Sequence, residues 1–288
     1  MKRVRGYAEW SPKPVNLKRV TDAINVLDEY RYQLPLTVRQ IYYRMVSKDQ
    51  IDKTDKGYKN LAEALNRARR AGRIPMDYIR DDGIKESDPD GYGSFETLEN
   101  CINQALKEGD LNRDVGQPFH QIVLCEAAGM LPMLAAVADD FGVKVLSSGG
   151  FDSLTAQHSL AKAIEDDGRP AKLWHLGDHD PSGEAVHVAL FENVMSFCGD
   201  LREIDTNRLA VTPAQIRRYN LPGKPPKKTD ARAFTSEVTV QCEAIPPDVL
   251  QDILRDALSK EYDKSIYNAE RATFEAKRSS YLQDRDHE

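Results

Sequence analysis

A chain of 288 residues is long enough for about two hydrophobic cores, and the absence of any apolar run near the roughly 20 residues of a membrane span argues against a helical membrane protein or a membrane partner. Its four cysteines, Cys101, Cys125, Cys198 and Cys242, form no C-x-x-C pair, which argues against a zinc site or a disulfide framework. The net charge of -6 is unevenly spread: residues 1 to 80 hold 18 Lys+Arg against 9 Asp+Glu, so that end is suited to a polyanion while the rest is acidic.

The basic segment from Met1 to Lys13 has no apolar stretch behind it, so it does not read as a secretory signal, and a cytoplasmic location is expected. A basic arm over 1–15 precedes a first helix from about Asn16 to Tyr32, with Leu17, Val20, Ile24 and Leu27 on one face and a break at Leu34-Pro35. Thr37 is the expected N-cap of a second helix, Val38 to about Ser47, and Tyr58 to Ala71 reads as a third helix ending at Gly72. Arg73 to Arg80 alternates enough for a short wing strand. Three helices and a wing predict a helix-turn-helix variant over 16–93, with Lys59, Asn66, Arg67, Arg69, Arg70 and Arg73 as the DNA-contacting set. Solvated arginines are common on helix faces, but here the positive excess is confined to this part of the chain.

Asp81 to Gly93 is rich in Gly, Asp and Pro and is taken as the boundary before a second unit, 94–288. From Gln121 the pattern is βαβαβα, with strands at Gln121 to Cys125, Val143 to Leu146 and Ala171 to Leu176 and helices near Leu131 to Phe141, Ser153 to Asp166 and after Ser182. That alternation predicts a parallel-sheet α/β domain. Leu221 to Asp230 reads as an exposed loop, Pro247 to about Tyr267 as an amphipathic helix, and the charged C-terminus as frayed.

Glu126 ends the first of these strands, and Asp178 and Asp180 follow the third in LGDHDPSG. Ligands of open α/β sheets bind beyond the carboxyl ends of strands, so the three acids are expected to converge as a hard-oxygen site for Mg²⁺ or Mn²⁺, with a phosphodiester as the natural substrate. The plainer reading makes Asp180 a helix cap ahead of Pro181 and Glu126 an incidental acid; it is the better one for either feature alone, and the combination in one frame reverses it. No D-x-H precedes His179, so His179 is read as a loop or outer residue, and His175 and His187 as structural.

In TVRQIYYRMV, Tyr42 falls on the apolar stripe with Val38 and Met45, whereas Tyr43 falls off it on the face of Arg39. Tyr43 is therefore the tyrosine expected to be free for a substrate. A phenol with an ordinary pKa of about 10 needs a cation to become a nucleophile, and Arg39 is placed for that. From the helix alone, an ordinary surface Tyr-Arg pair is the commoner case.

TVRQIYYRMV resembles the R-D-I-Y-Y segment of topoisomerase VI A subunits and the meiotic double-strand-break protein, and VLCEAAG, SSGGFDS and LGDHDPSG resemble the segments of their Toprim domain. VTPAQIRRYNLP and EAIPPDVL resemble that family's C-terminal part, so the likeness spans about Leu36 to Leu254. It implies a winged-helix domain followed by a Toprim domain, Tyr43 as nucleophile with Arg39 beside it, and Glu126, Asp178 and Asp180 as Mg²⁺ ligands. It also implies cleavage of double-stranded DNA through a 5′-phosphotyrosyl bond, with Glu126 assisting catalysis. The family acts as a homodimer in which one subunit's tyrosine meets the other's metal, so a homodimer is expected, with an ATPase subunit as a further partner in trans. The chain is closest in plan to compact stand-alone relatives of mobile elements, called Mini-A. Gln40, Ala127 and Ser182 depart from the family's Asp, Lys and Tyr. A Toprim nuclease using water, or a DNA-binding assembly protein with a degenerate site, are the alternatives.

Overall fold

The computed structural model describes residues 7–80, 91–147, 154–198, 203–226 and 234–285. It has a mixed α/β fold with parallel sheets.

The first 80 residues supply three helices, α1 (Pro14–Glu29), α2 (Val38–Ser47) and α3 (Asp55–Arg70). Pro14 at the first helical position starts α1 two residues earlier than its apolar spacing suggests, and the helix buries Val20, Ala23, Val26 and Leu27. α2 begins where its cap predicts: Gln40 N donates to Thr37 Oγ1 at 3.1 Å and Thr37 N to Gln40 Oε1 at 2.8 Å, a complete capping box. Gln40 thus supplies a cap where the resembled family has an acid. Thr54 caps α3, and Gly72, at φ +69°, leads the chain out of it.

The wing expectation is corrected. A 3₁₀ turn covers Met76–Tyr78, and only the pair β2 (Ile79–Arg80) is strand, lying parallel to β1 (Leu36–Thr37). Residues 81–90 of the expected linker lie outside the described residues, and α4 (Phe95–Glu108) follows, capped by Ser94.

The larger sheet contains β3 (His120–Cys125), β4 (Lys144–Ser147), β5 (Ala171–Leu176) and β6 (Ile204–Ala210), all parallel in the order β4-β3-β5-β6. From β3 the chain passes through α5 (Leu131–Ala138) to β4, returns through α6 (Leu154–Asp167) to β5, and continues through α7 (Pro181–Cys198) to β6. Chain direction across the sheet therefore reverses between β3 and β5, and the ends of those two strands form the crevice where such sheets bind ligands.

Both faces are covered, which is why β3 and β5 read as apolar runs. Ile122, Leu124 and Leu173 pack with Leu160, Ile164, Leu190 and Phe191 of α6 and α7. Val123, Cys125, Trp174 and Leu176 belong to a second cluster with α5 and α9 (Pro247–Glu261) that runs on, unbroken, into the core of α1, α2 and α3. α8 (Pro213–Arg218) is a short capped helix. The helix expected to reach Tyr267 ends at Glu261, and α10 (Lys264–Arg285) forms from the residues expected to fray. No helix among the described residues is long and apolar enough to cross a membrane.

Candidate functional site

The ends of β3 and β5 hold Glu126 and the Gly177–Asp180 loop. Glu126 N continues the ladder to Leu176 O at 2.9 Å, and Glu126 Oε2 accepts from Asp178 N at 2.8 Å. Asp178 Oδ1 accepts from Cys242 N at 2.8 Å. Asp180 Oδ1 accepts from Gly183 N at 2.7 Å, so the cap reading describes what Asp180 does here. Gly183 has to be glycine for the loop to close: a Cβ would sit 2.5 Å from Asp178 O and 3.2 Å from Glu126 Oε2.

This loop is poor in positive charge. Burial first, then Asp178 and Asp180, push the Glu126 carboxyl up to about 7, against the lowering effects of the Asp178 N–H and of Arg208. Burial and Asp180 likewise raise Asp178. Arg208 spends its donors on the loop backbone, reaching Gly177 O at 3.2 Å and Asp178 O at 2.5 Å. A divalent cation beside Glu126 and Asp178 would supply the missing charge, and their oxygens are the right donors for a hard one. The three acids do not converge as closely as expected, however: their oxygens do not all approach within 4.8 Å of one another. Asp180 is turned to its helix instead.

Among the described residues, one group of His, Cys, Asp or Glu does converge that closely and could hold a metal ion: Asp114, His120 and Asp167. It lies at the opposite end of β3 and carries no spacing that would reveal it in sequence. Arg169 already sits in it, 2.5 Å from Asp114 and 2.7 Å from Asp167.

His175 and His187 stack at 4.6 Å beside Phe191, and burial lowers them to about 3 and about 4, so both are neutral packing residues. His179 Nδ1 lies 2.9 Å from Glu184 in the loop.

Tyr43 is not the exposed residue that helix geometry suggested. It is 4% exposed, about as deep as Tyr42, because a strap carrying Gln241 and the turn Cys242–Ala244 lies across that face of α2. Tyr43 Oη donates to Gln241 Oε1, whereas Tyr42 Oη donates to Asp52 O and Thr54 O. Burial chiefly raises the Tyr43 phenol, Arg39 pulls it back down, and Asp178 and Glu243 add to the rise. Arg39 is shared, lying 3.5 Å from the buried Glu243.

Above Tyr43 is a pocket of about 190 Å³ lined by Arg39, Tyr58, Lys59, Lys224 and Gln241, among others. Lys53 Nζ lies 5.3 Å from the Tyr43 ring centroid, and burial together with Lys224 lowers Lys53 to about 8. The pocket is thus basic around a phenol. Lys224 in its lining escaped sequence reasoning, since a lysine in LPGKPPKK looks like any loop lysine.

Of the expected DNA-contacting residues, Lys59 lines this pocket and the others do not. Arg67 pairs with Glu63 at 2.6 Å, Arg70 Nε donates to Asn66 at 2.9 Å, Arg69 reaches Met76 O at 2.8 Å, and Arg73 reaches Trp10 O at 3.5 Å. They decorate the end of α3 while bound to their own chain.

Compared with known proteins, the chain matches no family model, and no curated protein matches it either.

Proposed function

We propose that this chain cleaves double-stranded DNA by transesterification through Tyr43, as a compact relative of topoisomerase VI A subunits that pairs a winged-helix-like unit with a Toprim unit and acts as a homodimer. One observation carries the reading: the Tyr43 hydroxyl donates to Gln241, and the neighbouring Cys242 N–H holds the Asp178 carboxylate at 2.8 Å, beside a basic pocket that suits a phosphodiester.

In this reading Arg39, Lys59 and Lys224 receive the backbone phosphate. Tyr43 Oη attacks phosphorus, the bond to the 3′ oxygen breaks, and the products are a 5′-phosphotyrosyl link and a 3′ hydroxyl. The phenolic proton leaves as the new bond forms, and the displaced oxygen takes one up. Arg39 favours the phenolate against its burial. Glu126 and Asp178 would hold Mg²⁺ or Mn²⁺, with Asp180 behind them, and a divalent ion there supplies charge stabilisation to the phosphoryl group. Strand passage would need an ATPase subunit in trans.

The test is incubation with supercoiled DNA and Mg²⁺ or Mn²⁺, followed by denaturation. Protein-linked DNA is expected from the wild type and none from Tyr43→Phe. The burial of Tyr43 favours a second reading, a nuclease whose nucleophile is water; cutting retained by Tyr43→Phe and lost in Asp178→Asn would establish that one instead.

A further inference from the structure

Two helices reach the surface with apolar faces that the described residues leave uncovered. α4 is 14 residues long, and none of them is buried. Phe95, Leu98, Ile102 and Ala105 lie along one side of it, with Phe95 78% and Ile102 46% exposed. α10 carries an aromatic row at seven-residue spacing: Tyr267 is buried, Phe274 half-buried and Tyr281 53% exposed, so the row runs off the body of the protein. A helix as short as α4 with an open apolar side is marginal in water, because tertiary packing supplies most helical stability. Within the chain, α10 grips the turn that follows α4, where Arg278 Nη1 donates to Gly109 O at 2.5 Å and Arg271 Nε lies 3.3 Å from Asp110, and leaves Phe95 and Ile102 open.

We propose that these faces form a dimerisation surface, in which α4 of one copy packs along the outer half of α10 of a second copy and the contact repeats about a two-fold axis. This rests on the homodimer reading above and adds which faces meet; it does not depend on the cleavage chemistry. Charge selects the partner. α4 carries Glu96, Glu99 and Glu108 against the single base Lys107, whereas α10 has five Lys and Arg against three Glu and Asp, so one helix is acidic and the other basic by the same two charges. Glu99 and Glu108 flank the apolar side of α4 about 13.5 Å apart along its axis, and Lys277 and Arg285 flank the aromatic row of α10 about 12 Å apart, at 1.5 Å of rise per residue. Two α4 helices face to face would set acid against acid. The apolar sides therefore find both cover and counter-charge in the pairing of α4 with α10, and a symmetric dimer makes that contact twice. An acidic α4 suits neither DNA nor an anionic lipid surface.

Reciprocal charge reversal tests the pairing, with dimer dissociation constants measured by analytical ultracentrifugation of the full chain without DNA. One variant reverses α4, Glu99→Lys with Glu108→Lys; the other reverses α10, Lys277→Glu with Arg285→Glu. Each alone sets like charges together at both contacts of its own dimer, so each is expected to raise the dissociation constant about 10-fold or more at low salt. Mixed in equal amounts, the two restore opposite charges at both contacts, and the heterodimer is expected within about threefold of the wild-type constant. Charges that pair inside one chain would not be rescued by mixing, and α4 packed on α4 would leave the α10 variant as tight as the wild type; either result overturns the proposal. Phe95→Ser with Ile102→Ser removes the apolar half of the contact and is expected to weaken the dimer about 10-fold or more at high salt as well, with circular dichroism showing the rest of the chain still folded. A wild type that stays monomeric up to about 100 μM would defeat the homodimer reading and this surface together. A dimer that all three variants leave intact would defeat the surface alone.

Discussion

Glu126 shows how one side chain records the chemistry of its surroundings. With its folded-state pKa raised to about 7 from 4.5, it is protonated in the folded protein and ionised in the unfolded one between those values, so its contribution to stability falls as pH rises from about 4.5 to about 7. His175 and His187 act oppositely: lowered to about 3 and about 4, they make stability fall as pH drops below about 6.5. The difference between wild type and Glu126→Gln isolates the carboxylate, because the histidines are common to both. With chelator at pH 8, Glu126→Gln is expected to be more stable by roughly 1–2 kcal/mol after discounting for solvent screening, and the gap should close toward pH 4.5. Mg²⁺ should raise the wild-type denaturation midpoint at pH 8 and leave the variant unmoved. Equal urea midpoints for both proteins across this range would refute the electrostatic account of the loop. Glu126 and Asp178 were legible in the sequence because a strand end and a loop after a strand are local features. Their failure to close with Asp180 was not, since a competing helix cap satisfies that residue.

At the scale of elements, what was legible followed local periodicity and caps. α2, with its Thr37–Gln40 box, was placed to the residue, and β3 and β5 stood out as apolar runs. β6, IDTNRLA, is a half-buried edge strand with little apolar pattern, and α4 buries no residue fully, so neither announces itself. The burial of Tyr43 was invisible for a different reason: its cover, Gln241, is 198 residues away, and no helical wheel contains it. Thr37 joins the two kinds of information, capping α2 locally and donating to Glu243 on the strap. Thr37→Ala is expected to cost about 2–3 kcal/mol in urea denaturation, from a lost cap and a buried carboxylate short of a donor, whereas Thr37→Ser should stay within about 0.5 kcal/mol. If serine proves as costly as alanine, the methyl group and not the hydroxyl holds the strap.

The whole molecule raises the question of how many units unfold. Composition suggests two domains with a boundary near residues 81–93, yet one apolar cluster runs from Val20 and Leu27 of α1, through Ile41 of α2 and Ile245 beyond the strap, to Leu250 and Leu254 of α9 and the α5 face of the sheet. The second cluster, between α6, α7 and the other face, shares β3 and β5 with the first. The proposed site, with its tyrosine in one half and its carboxylates in the other, would keep its geometry only if the halves stay docked. The described residues should therefore melt as one cooperative unit. Leu27→Ala and Leu254→Ala, at the two ends of the cluster, are each expected to cost about 2–5 kcal/mol and to displace the same single calorimetric transition. Two independent domains would give two transitions, with each substitution moving a different one.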